Sequence, residues 1–380
     1  MNILILTESF PPRAGGSGWS TYYLACALKK RGHNVAVAKI KGEEERYENI
    51  EIANVKTKKE LIKFIDEFHP DVIHCQHRIS TIWGVGHGIP TTTTIRDYWH
   101  TCYDGTCFNE RTQKNYEKET LGTIIQALTY KKPRHIRFLS PFIAVYLFFR
   151  TKYSLSKLKK CDALICNSTY TYEITKKALP RMKCTIIPNL IDFEKLATIN
   201  PHHFEGRTVL YAGKLTKNKG AHIIIDAALK TKTKAKYIFI GEGELEKYIS
   251  AKAKENKIDA EFSGYLPNDK VLSMMKGADA LVLPALWNEP LGRTHLEGVG
   301  VGARIITTDT GGTRDIIEDY YNGLFFDKTP ADLAKKIDLL LTNKKLAENI
   351  TKNALLSAKK FDEKTVAEKF ERFYKELIKK

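Results

Sequence analysis

Two glutamates, Glu289 and Glu297, have the spacing in this sequence that best suits the binding of a polyhydroxyl ligand. They flank Gly292 and follow an apolar run, Ala280 to Pro284, that is typical of a strand. In an ideal helix a spacing of eight residues spans about 12 Å and leaves both carboxylates on nearly the same side. Ligands of open α/β sheets bind just beyond the carboxyl ends of strands, which favours a site over two solvated surface acids.

A basic loop bracketed by glycines follows another strand-like run. Lys214 and Lys219 lie between Gly213 and Gly220, and their ammonium groups could offset the charge on a departing diphosphate. A solvated loop is the usual interpretation for a lone lysine. The two flanking glycines favour a ligand site instead.

Gly15 and Gly16 lie in a second glycine loop, which joins the strand-like start of the chain to a helix-like segment. Backbone N–H groups in such a loop can turn towards an anion. Thr21 stands where the third glycine of a dinucleotide fingerprint would be, so the pattern is weak support for NAD. A tight turn that needs glycine for steric reasons is an equal alternative.

A cation, an acid and an imidazole follow the strand-like run Thr91 to Ile95: they are Arg96, Asp97 and His100. We expect them at a strand end, facing a cleft between two domains. The alternatives are a purely structural salt bridge between Arg96 and Asp97, and a surface imidazole at position 100.

The composition is that of a globular protein that attracts anions. Hydrophobic residues make up 43% of the 380 positions, and 61 basic against 44 acidic residues give a net charge of +17. This charge suits nucleotides, nucleic acid or an acidic membrane surface. Seven scattered cysteines and the lack of a signal-peptide pattern favour a reduced cytoplasmic location, with buried thiols rather than a metal site.

An apolar, aromatic stretch from Leu139 to Phe149 is followed by a cluster of lysines and arginine. The stretch is too short to span a membrane. It suits either an interfacial segment on anionic lipid or an internal helix with a basic end.

Strand-like runs alternate with helical patterns along the chain, which predicts an α/β fold with parallel sheets in two Rossmann-like domains. We place an N-terminal domain at 1–190, a linker at 191–206 and a C-terminal domain at 207–360. A final helix at 361–380 has apolar positions three to four residues apart. The predicted strands are Ile3–Leu6, Val35–Ile40, Val72–Cys75, Thr91–Ile95, Ala163–Cys166, Thr185–Ile187, Val209–Ala212, Tyr237–Ile240, Ala260–Ser263, Ala280–Leu283, Arg304–Thr307 and Leu324–Phe326.

With these motifs in order, the chain resembles the GT-B glycosyltransferases of family 4, the retaining nucleotide-sugar class. The resemblance is dense in the C-terminal half and holds in outline elsewhere. The motifs that carry it are Gly15-Gly16, the strand end Ala163 to Ser168, Ile187-Pro-Asn-Leu-Ile-Asp192, Gly213-Lys-Leu-x-x-x-Lys219-Gly220, Gly264-Tyr-Leu266, Glu289-Pro-Leu-Gly-x-x-x-x-Glu297, Thr310-Gly-Gly-x-x-Asp315 and Asn322-Gly323.

This resemblance implies two Rossmann-like domains facing a cleft, and a last helix that crosses back to the first domain. It implies that Glu297 binds the ribose hydroxyls and Glu289 those of the transferred sugar. The backbone of Leu291, Gly292, Arg293 and Thr294 would contact sugar and phosphate. Lys214 and Lys219 would hold the diphosphate, which Gly16 would let the first domain approach.

Two positions depart from the family pattern. Many members have arginine where Lys214 stands, and lysine lacks the planar, bidentate contact of a guanidinium. Many also have histidine at the position of Arg96, which draws attention to Asp97 and His100 as further catalytic candidates.

The sequence therefore predicts a retaining, metal-independent glycosyltransferase without a cofactor, using a UDP- or GDP-linked sugar and a sugar or lipid-linked acceptor. A role in polysaccharide, glycan or glycolipid assembly, with peripheral contact to an anionic membrane, follows from the basic surface and the aromatic stretch. The alternatives are an epimerase, synthase or phosphorylase of the same fold, and a basic nucleic-acid-binding protein, although no nucleic-acid partner is expected.

Overall fold

The computed structural model describes residues 1–12, 14–43, 46–116, 119–131 and 139–379. The chain divides into two compact units. The first unit comprises Met1–Cys107, Tyr116–Leu190 and Glu363–Lys380, and the second comprises Phe108–Asn115 and Ile191–Asp362.

The strands match the predicted runs closely at the buried positions. They are β1 (Asn2–Thr7), β2 (Asn34–Ile40), β3 (Arg46–Tyr47), β4 (Ile50–Val55), β5 (Val72–Cys75), β6 (Thr91–Ile95), β7 (Phe108–Asn109), β8 (Lys114–Asn115), β9 (Ala163–Cys166), β10 (Cys184–Ile186), β11 (Thr208–Ala212), β12 (Lys236–Ile240), β13 (Ala260–Gly264), β14 (Ala280–Leu283), β15 (Ile305–Thr308) and β16 (Leu324–Phe326).

The α-helices lie between these strands and after them. They are α1 (Gly16–Lys30), α2 (Lys58–Phe68), α3 (Arg78–Gly84), α4 (Leu121–Lys131), α5 (Ser140–Leu158), α6 (Thr169–Ala178), α7 (Phe193–Thr198), α8 (Ala221–Ala228), α9 (Glu246–Glu255), α10 (Asn268–Gly277), α11 (Arg293–Gly300), α12 (Pro330–Thr342), α13 (Lys344–Ala358) and α14 (Glu363–Ile378).

Each unit is built on one parallel sheet. In the first unit the spatial order is β10-β9-β6-β5-β1-β2-β4-β3, in which only the short β3 pairs antiparallel. In the second unit the order is β13-β12-β11-β14-β15-β16. The α/β fold with parallel sheets that the sequence predicts is confirmed.

The order of strands reverses once in each sheet. In the first sheet, β2 and β4 lie on one side of β1. The next strand of the sheet along the chain, β5, pairs with the other side of β1. The second sheet reverses in the same way between β11 and β14. At such a switch point the loops leave neighbouring strands in opposite directions, and this opens a crevice at the carboxyl edge of the sheet.

The sequence did not predict strands β3 and β4 or the β7–β8 hairpin; the two-residue β3 pairs antiparallel with β4. Strand β4 alternates buried and exposed residues and carries Glu51 and Asn54, so it lacks the continuous apolar run of the other strands. Strands β7 and β8 form an antiparallel hairpin of two-residue strands, which is too short to leave a periodic signal.

Residues 191–206, which the sequence predicts to be a linker, form part of the second unit. Ile191 and Leu196 are buried in its core, and Asp192 caps helix α7 by accepting a hydrogen bond from the Lys195 amide. This stretch, which contains Pro201 and Gly206, thus includes an ordered helix, because its apolar side chains are buried in a core.

Helix α14 belongs to the first unit, although it is the last element of the chain. Its apolar face (Val366, Phe370, Phe373 and Leu377) is buried in the same cluster as residues of β1 and α1. Arg31, the C-cap residue of α1, also forms an ion pair of 2.5 Å with Glu371. The helical spacing of the apolar residues in this segment is therefore explained by their packing against α1.

A buried hydrogen-bonded chain fixes α14 to the centre of the first sheet. The hydroxyl of Tyr374 lies 2.6 Å from Nδ1 of His74, and Nε2 of His74 lies 2.6 Å from the hydroxyl of Thr94. All three residues are buried, and burial lowers the pKa of His74 well below its usual value. The neutral imidazole can donate from one nitrogen and accept at the other, so both are paired.

None of the helices in the described residues is long and apolar enough to cross a membrane. The seven cysteines are free, and Cys75, Cys102, Cys161 and Cys166 are buried.

Replacing Tyr374 by Phe tests the buried chain. The variant keeps the ring but leaves Nδ1 of His74 without its partner, so we expect a loss of about 1–3 kcal/mol in the free energy of unfolding. Urea denaturation measures it, with Tyr320→Phe as the control, because the Tyr320 hydroxyl receives a bond from Lys336 at an exposed position. Equal stability of the two variants would contradict the proposed role of the chain.

Candidate functional site

The basic loop and the Glu289 loop of the second unit leave adjacent strands at the switch point of its sheet. Residues 213–220 follow β11, residues 284–292 follow β14, and these two strands are paired. Parallel strands place their carboxyl ends at one edge, so the two loops meet there.

Glycine at position 220 allows the two loops to touch. Gly220 has φ +73°, and a Cβ built on it would lie 1.9 Å from the carbonyl oxygen of Pro284. The carbonyl of Asn218 accepts hydrogen bonds from the amides of Leu286 (2.9 Å) and Trp287 (3.2 Å). The basic loop is therefore bonded directly to the loop that carries Glu289.

Glu289 accepts two hydrogen bonds on the same oxygen. Lys219 Nζ lies 2.5 Å and Trp287 Nε1 lies 2.9 Å from Glu289 Oε2. The ammonium group of Lys219 also lies 5.2 Å from the centre of the Trp287 ring, within the range of a cation–π contact. A carboxylate, a cation and an aromatic ring are thus brought together at the carboxyl edge of the sheet.

The neighbours of Glu289 keep it ionised in spite of its burial. Burial raises the pKa of this carboxyl, but the charge and hydrogen bond of Lys219, together with the hydrogen bond from Trp287, outweigh that effect and lower the pKa overall. The imidazole of His295 is itself neutral, because burial lowers its pKa to about 4. The site consequently contains one carboxylate and one ammonium ion in close contact.

A third glycine loop supports the backbone of Glu289. The amide of Gly312 donates a 2.7 Å hydrogen bond to the carbonyl of Glu289. Gly311 has φ +57°, and a Cβ there would lie 2.2 Å from the same carbonyl oxygen. The Thr310-Gly-Gly motif is therefore required for close packing against the site.

Glu297 lies within a helix, whereas Glu289 lies before it. Helix α11 begins at Arg293, with Gly292 as an N-cap that has no side-chain hydrogen bond. Pro290 disfavours a helical conformation at Glu289, so the ideal helical spacing of the two glutamates does not apply. The backbone from Leu291 to Thr294 forms the N-terminal end of this helix, where the dipole favours an anion.

The carboxylate of Glu297 is paired with a neighbouring predicted residue. Arg293 Nε donates a 3.0 Å hydrogen bond to Glu297 Oε1, and both side chains are largely buried. Burial raises the pKa of Glu297, and the charge and hydrogen bond of Arg293 oppose that rise. Gly292 has no room for a side chain, because a Cβ would lie 2.2 Å from Nδ1 of His295.

Lys214 occupies a different position from Lys219. Its side chain is exposed, and its carbonyl accepts a 2.7 Å hydrogen bond from the hydroxyl of Tyr211. Gly213, just before it, has φ +156° and packs against that tyrosine ring. The ion pair with Glu289 is formed by Lys219.

The remaining predicted residues lie in the first unit. Gly15 is the N-cap of α1 and Gly16 its first residue, directly after the β1 loop. Arg96 donates to Gln76 Oε1 (3.0 and 2.6 Å) and to Asn189 Oδ1 (2.5 Å). These contacts place the guanidinium at the carboxyl edges of β5 and β6.

Asp97 and His100 have different surroundings within that unit. Asp97 accepts a 3.0 Å bond from the Trp99 amide, and burial raises its pKa to about 6. His100 is buried, with Nε2 lying 3.3 Å from the hydroxyl of Thr175, and burial lowers its pKa to about 4. His100 thus has the contacts of a core histidine, and its catalytic role stays a prediction.

Sequence reasoning missed two residues that shape the Glu289 site. Trp287 donates to Glu289 directly. Asn115, at the end of the β7–β8 hairpin, donates to the Leu286 carbonyl (3.1 Å) and accepts from the Asn288 amide (3.1 Å). Its amide group therefore bonds to the backbone on both sides of Trp287.

The hairpin belongs to the second unit although it interrupts the sequence of the first. Phe108 is buried in the core cluster of the second unit, which anchors the hairpin there. Trp287 could have been noted from its position next to Asn288-Glu289. No local pattern relates Asn115 to a loop more than 170 residues away, since that contact exists only in the fold.

Within the described ranges, no group of three or more His, Cys, Asp or Glu side chains is placed to hold a metal ion. The chemistry that the observed cluster offers is the binding of hydroxyl groups by a carboxylate and of an anion by an ammonium ion and helix-end amides.

Comparison with known families matches almost the whole chain in two parts. The family described as Glycosyl transferases group 1 matches residues 192–356, and the family described as Glycosyltransferase Family 4 matches residues 14–195.

Two similar proteins are also named as glycosyltransferases. The chain is 29% identical to the putative glycosyltransferase YtcC of Bacillus subtilis over 39% of its own length and 40% of that protein. It is 27% identical to the N,N'-diacetylbacillosaminyl-diphospho-undecaprenol alpha-1,3-N-acetylgalactosaminyltransferase of Campylobacter jejuni, over 45% of each chain. In both cases the chain spans less than half of the relative's length.

A solved structure matches the fold over the full chain. The crystal structure of HepE from Anabaena in complex with UDP-glucose superposes with a TM-score of 0.71 at 17% identity. The match covers 98% of this chain and 99% of HepE.

Replacing Asn115 by Ala tests whether the hairpin holds the Trp287 loop. The variant removes both side-chain hydrogen bonds to that loop, each worth about 1 kcal/mol. We therefore expect amide exchange at residues 286–289 to rise by about fivefold or more, with the largest effect at Asn288. Hydrogen–deuterium exchange measures it.

The matched control for Asn115→Ala is Asn353→Ala, which removes a 3.0 Å bond from an asparagine side chain to the Tyr321 carbonyl elsewhere in the same unit. Unchanged exchange at residues 286–289 in Asn115→Ala would show that the hairpin does not position the loop.

Proposed function

Because the chain belongs to the group 1 glycosyltransferases and has the GT-B fold, we propose that it transfers a sugar from a nucleoside-diphosphate donor to an acceptor hydroxyl with retention of configuration. The Lys219–Glu289 pair at the switch point of the second sheet is the observation that carries this proposal. Family membership favours transfer over the nucleic-acid-binding alternative.

Lys219 is suited to bind the diphosphate of the donor. An ammonium ion has three N–H donors, and one of them is used by Glu289 in the observed structure. The others can bind phosphate oxygens, and the N-terminal amides of α11 can add to them. These groups would stabilise the negative charge that develops on the leaving nucleoside diphosphate. We propose that they do so without a resident metal or cofactor.

Glu289 is suited to bind hydroxyls of the transferred sugar. It is ionised, so it is an acceptor only, and one of its oxygens holds Lys219 and Trp287. The other oxygen can accept from sugar hydroxyls. If a phosphate oxygen accepts a hydrogen bond from Lys219 in place of Glu289, Glu289 can accept a further bond from the sugar. Binding of the diphosphate and binding of the sugar would therefore be linked.

Glu297 is the candidate for the ribose of the nucleotide. Its ion pair with Arg293 holds the carboxylate at the first turns of α11, close along the chain to the amides proposed to bind phosphate. A ribose has two adjacent hydroxyls, and a carboxylate can accept a hydrogen bond from each of them at the same time. The base is proposed to be uracil or guanine, and the uracil choice is supported by the fold shared with HepE, which was solved with UDP-glucose.

The proposed reaction proceeds on one face of the sugar. The bond between the anomeric carbon and the phosphate oxygen breaks, and the acceptor oxygen bonds to that carbon from the face the phosphate leaves. A non-bridging phosphate oxygen takes the proton of the acceptor hydroxyl. The products are the glycosylated acceptor and the nucleoside diphosphate.

The acceptor is proposed to be a sugar or a lipid-linked sugar in polysaccharide, glycan or glycolipid assembly, in the cytoplasm or at the cytoplasmic face of a membrane. The basic surface supports this class, because lipid-linked sugars with a diphosphate are anionic. One relative, the Campylobacter enzyme, carries a diphospho-undecaprenol acceptor in its name.

A panel of UDP-, GDP- and ADP-linked sugars tests the proposed function directly. We expect slow hydrolysis of one donor without acceptor, measured as release of the nucleoside diphosphate. No release from any donor, with or without membrane extracts as an acceptor source, would overturn the proposal.

Replacing Glu289 by Gln should reduce kcat for this donor by about 10²–10³, because the neutral amide loses the charge-assisted bonds to the sugar and to Lys219. The control is Glu261→Gln, which alters an exposed ion pair with Lys236 in the same unit. A Glu289→Gln enzyme as fast as the control would remove Glu289 from the site.

Replacing Lys219 by Met should weaken product binding as well as turnover. The loss of the ammonium ion removes its contact with phosphate, so we expect the inhibition constant of the nucleoside diphosphate to rise by about tenfold. Lys236→Met is the control, because Lys236 is also paired with a glutamate at 2.7 Å but at an exposed position. Unchanged inhibition in Lys219→Met would contradict the diphosphate role.

A further inference from the structure

Helix α5 exposes large aromatic residues along one side. Its exposed face carries Phe142, Tyr146, Phe149 and Tyr153, which are 73%, 65%, 64% and 50% exposed. Positions spaced by four, three and four residues form one stripe along a helix, about 16 Å long here. We call this stripe the aromatic face.

The opposite side of α5 contains small and polar residues together with aliphatic ones: Leu158 is fully buried, and Ile143, Leu147 and Leu155 pack partly buried against core clusters. Ala144, Thr151 and Ser154 are buried. The hydroxyls of Thr151 and Ser154 donate to the carbonyls of Leu147 and Arg150 within the helix, and the hydroxyl of Ser154 also accepts a hydrogen bond from Arg78. The helix therefore has apolar residues on both sides, whereas an ordinary surface helix has a polar outer side.

Exposed aromatic residues at this density mark a surface that binds something. Single exposed apolar residues are normal, but a contiguous stripe of large rings on a soluble surface is uncommon. The aromatic face is formed by one continuous helix of the first unit, on a different unit from the Glu289 site. It therefore goes beyond the proposed donor chemistry.

The charges around the stripe specify the chemistry of its partner. From Ser140 to Lys160 the sequence contains Arg150, Lys152, Lys157, Lys159 and Lys160 and no acidic residue. Lys152 Nζ lies 5.3 Å from the centre of the Phe148 ring, and Lys157 Nζ lies 5.2 Å from that of Tyr153. Aromatic rings with lysine ammonium groups beside them match the interface of a bilayer, where rings lie at headgroup depth and cations bind anionic headgroups.

We propose that the aromatic face of α5 binds the surface of an anionic lipid bilayer. The helix lies on the membrane and does not cross it, in agreement with the finding that no described helix is long and apolar enough to span one. A second copy of the chain is a poorer partner, because two such faces would bring their basic clusters together without an acid between them.

Binding to vesicles tests this inference. Unlabelled full-length protein is sedimented with vesicles of phosphatidylcholine, either pure or with about one third phosphatidylglycerol. We expect binding to the anionic vesicles, weakened by salt, and little binding to the neutral ones. The triple variant Phe142→Ser, Tyr146→Ser, Phe149→Ser should bind the anionic vesicles at least about tenfold more weakly, since three rings no longer enter the interface.

A matched triple variant controls for the loss of exposed apolar surface in general. Leu229→Ser, Tyr248→Ser and Leu356→Ser change side chains that are 48%, 51% and 49% exposed on the second unit. This variant should bind anionic vesicles like the wild type. Thermal unfolding of all three proteins checks that each is folded.

Three outcomes would overturn the inference. The wild type does not bind anionic vesicles, the aromatic-face variant binds as the wild type does, or light scattering shows a wild-type dimer that becomes a monomer in that variant. Release of nucleoside diphosphate from a soluble donor is measured in parallel. If that release is normal while vesicle binding fails, the membrane inference fails alone and the proposed function stands.

Discussion

The ion pair between Lys219 and Glu289 is the interaction on which the site of this protein depends. A carboxylate as buried as Glu289 would be costly to keep charged without a cation in contact. Lys219 supplies that cation, and Trp287 supplies a second donor to the same oxygen. The pair therefore holds a hydrogen-bond acceptor and a cation together at one place.

Backbone geometry brings the pair together. Three loops meet at the carboxyl edge of the second sheet, and two of them contain a glycine with positive φ whose missing Cβ leaves room for a neighbouring carbonyl. Asn218 and Gly312 then bond to the loop of Glu289 through the backbone. Because these contacts involve main-chain atoms, they fix the loop with little dependence on side-chain identity. Residues such as Asn115 add side-chain support from a distant part of the sequence.

The two units have the same kind of sheet but carry different surfaces. The second unit has the Lys219–Glu289 pair at its switch point. The strand order reverses there, and this opens a crevice at the edge of the sheet. The first unit has Arg96 bonded to Gln76 and Asn189 at its own carboxyl edge, and it presents the aromatic face of α5 to the outside. The donor site that we propose on one unit and the membrane-binding face that we propose on the other would suit an enzyme whose donor is soluble and whose acceptor is held at a bilayer.

The sequence by itself determined the alternation of strands and helices, since buried parallel strands need continuous apolar runs and these are visible locally. It also made Glu289, Lys219 and the glycine loops candidates for a site, because their residue types and order are linear features. It missed β3, β4 and the β7–β8 hairpin, whose short or alternating patterns have no strong period. Only the tertiary structure decided that Lys219 pairs with Glu289, that Arg293 pairs with Glu297, and that residues 191–206 pack on a core. It alone showed that the aromatic side of α5 is the exposed one. These facts depend on which surfaces meet in space, and the packing of distant segments determines that.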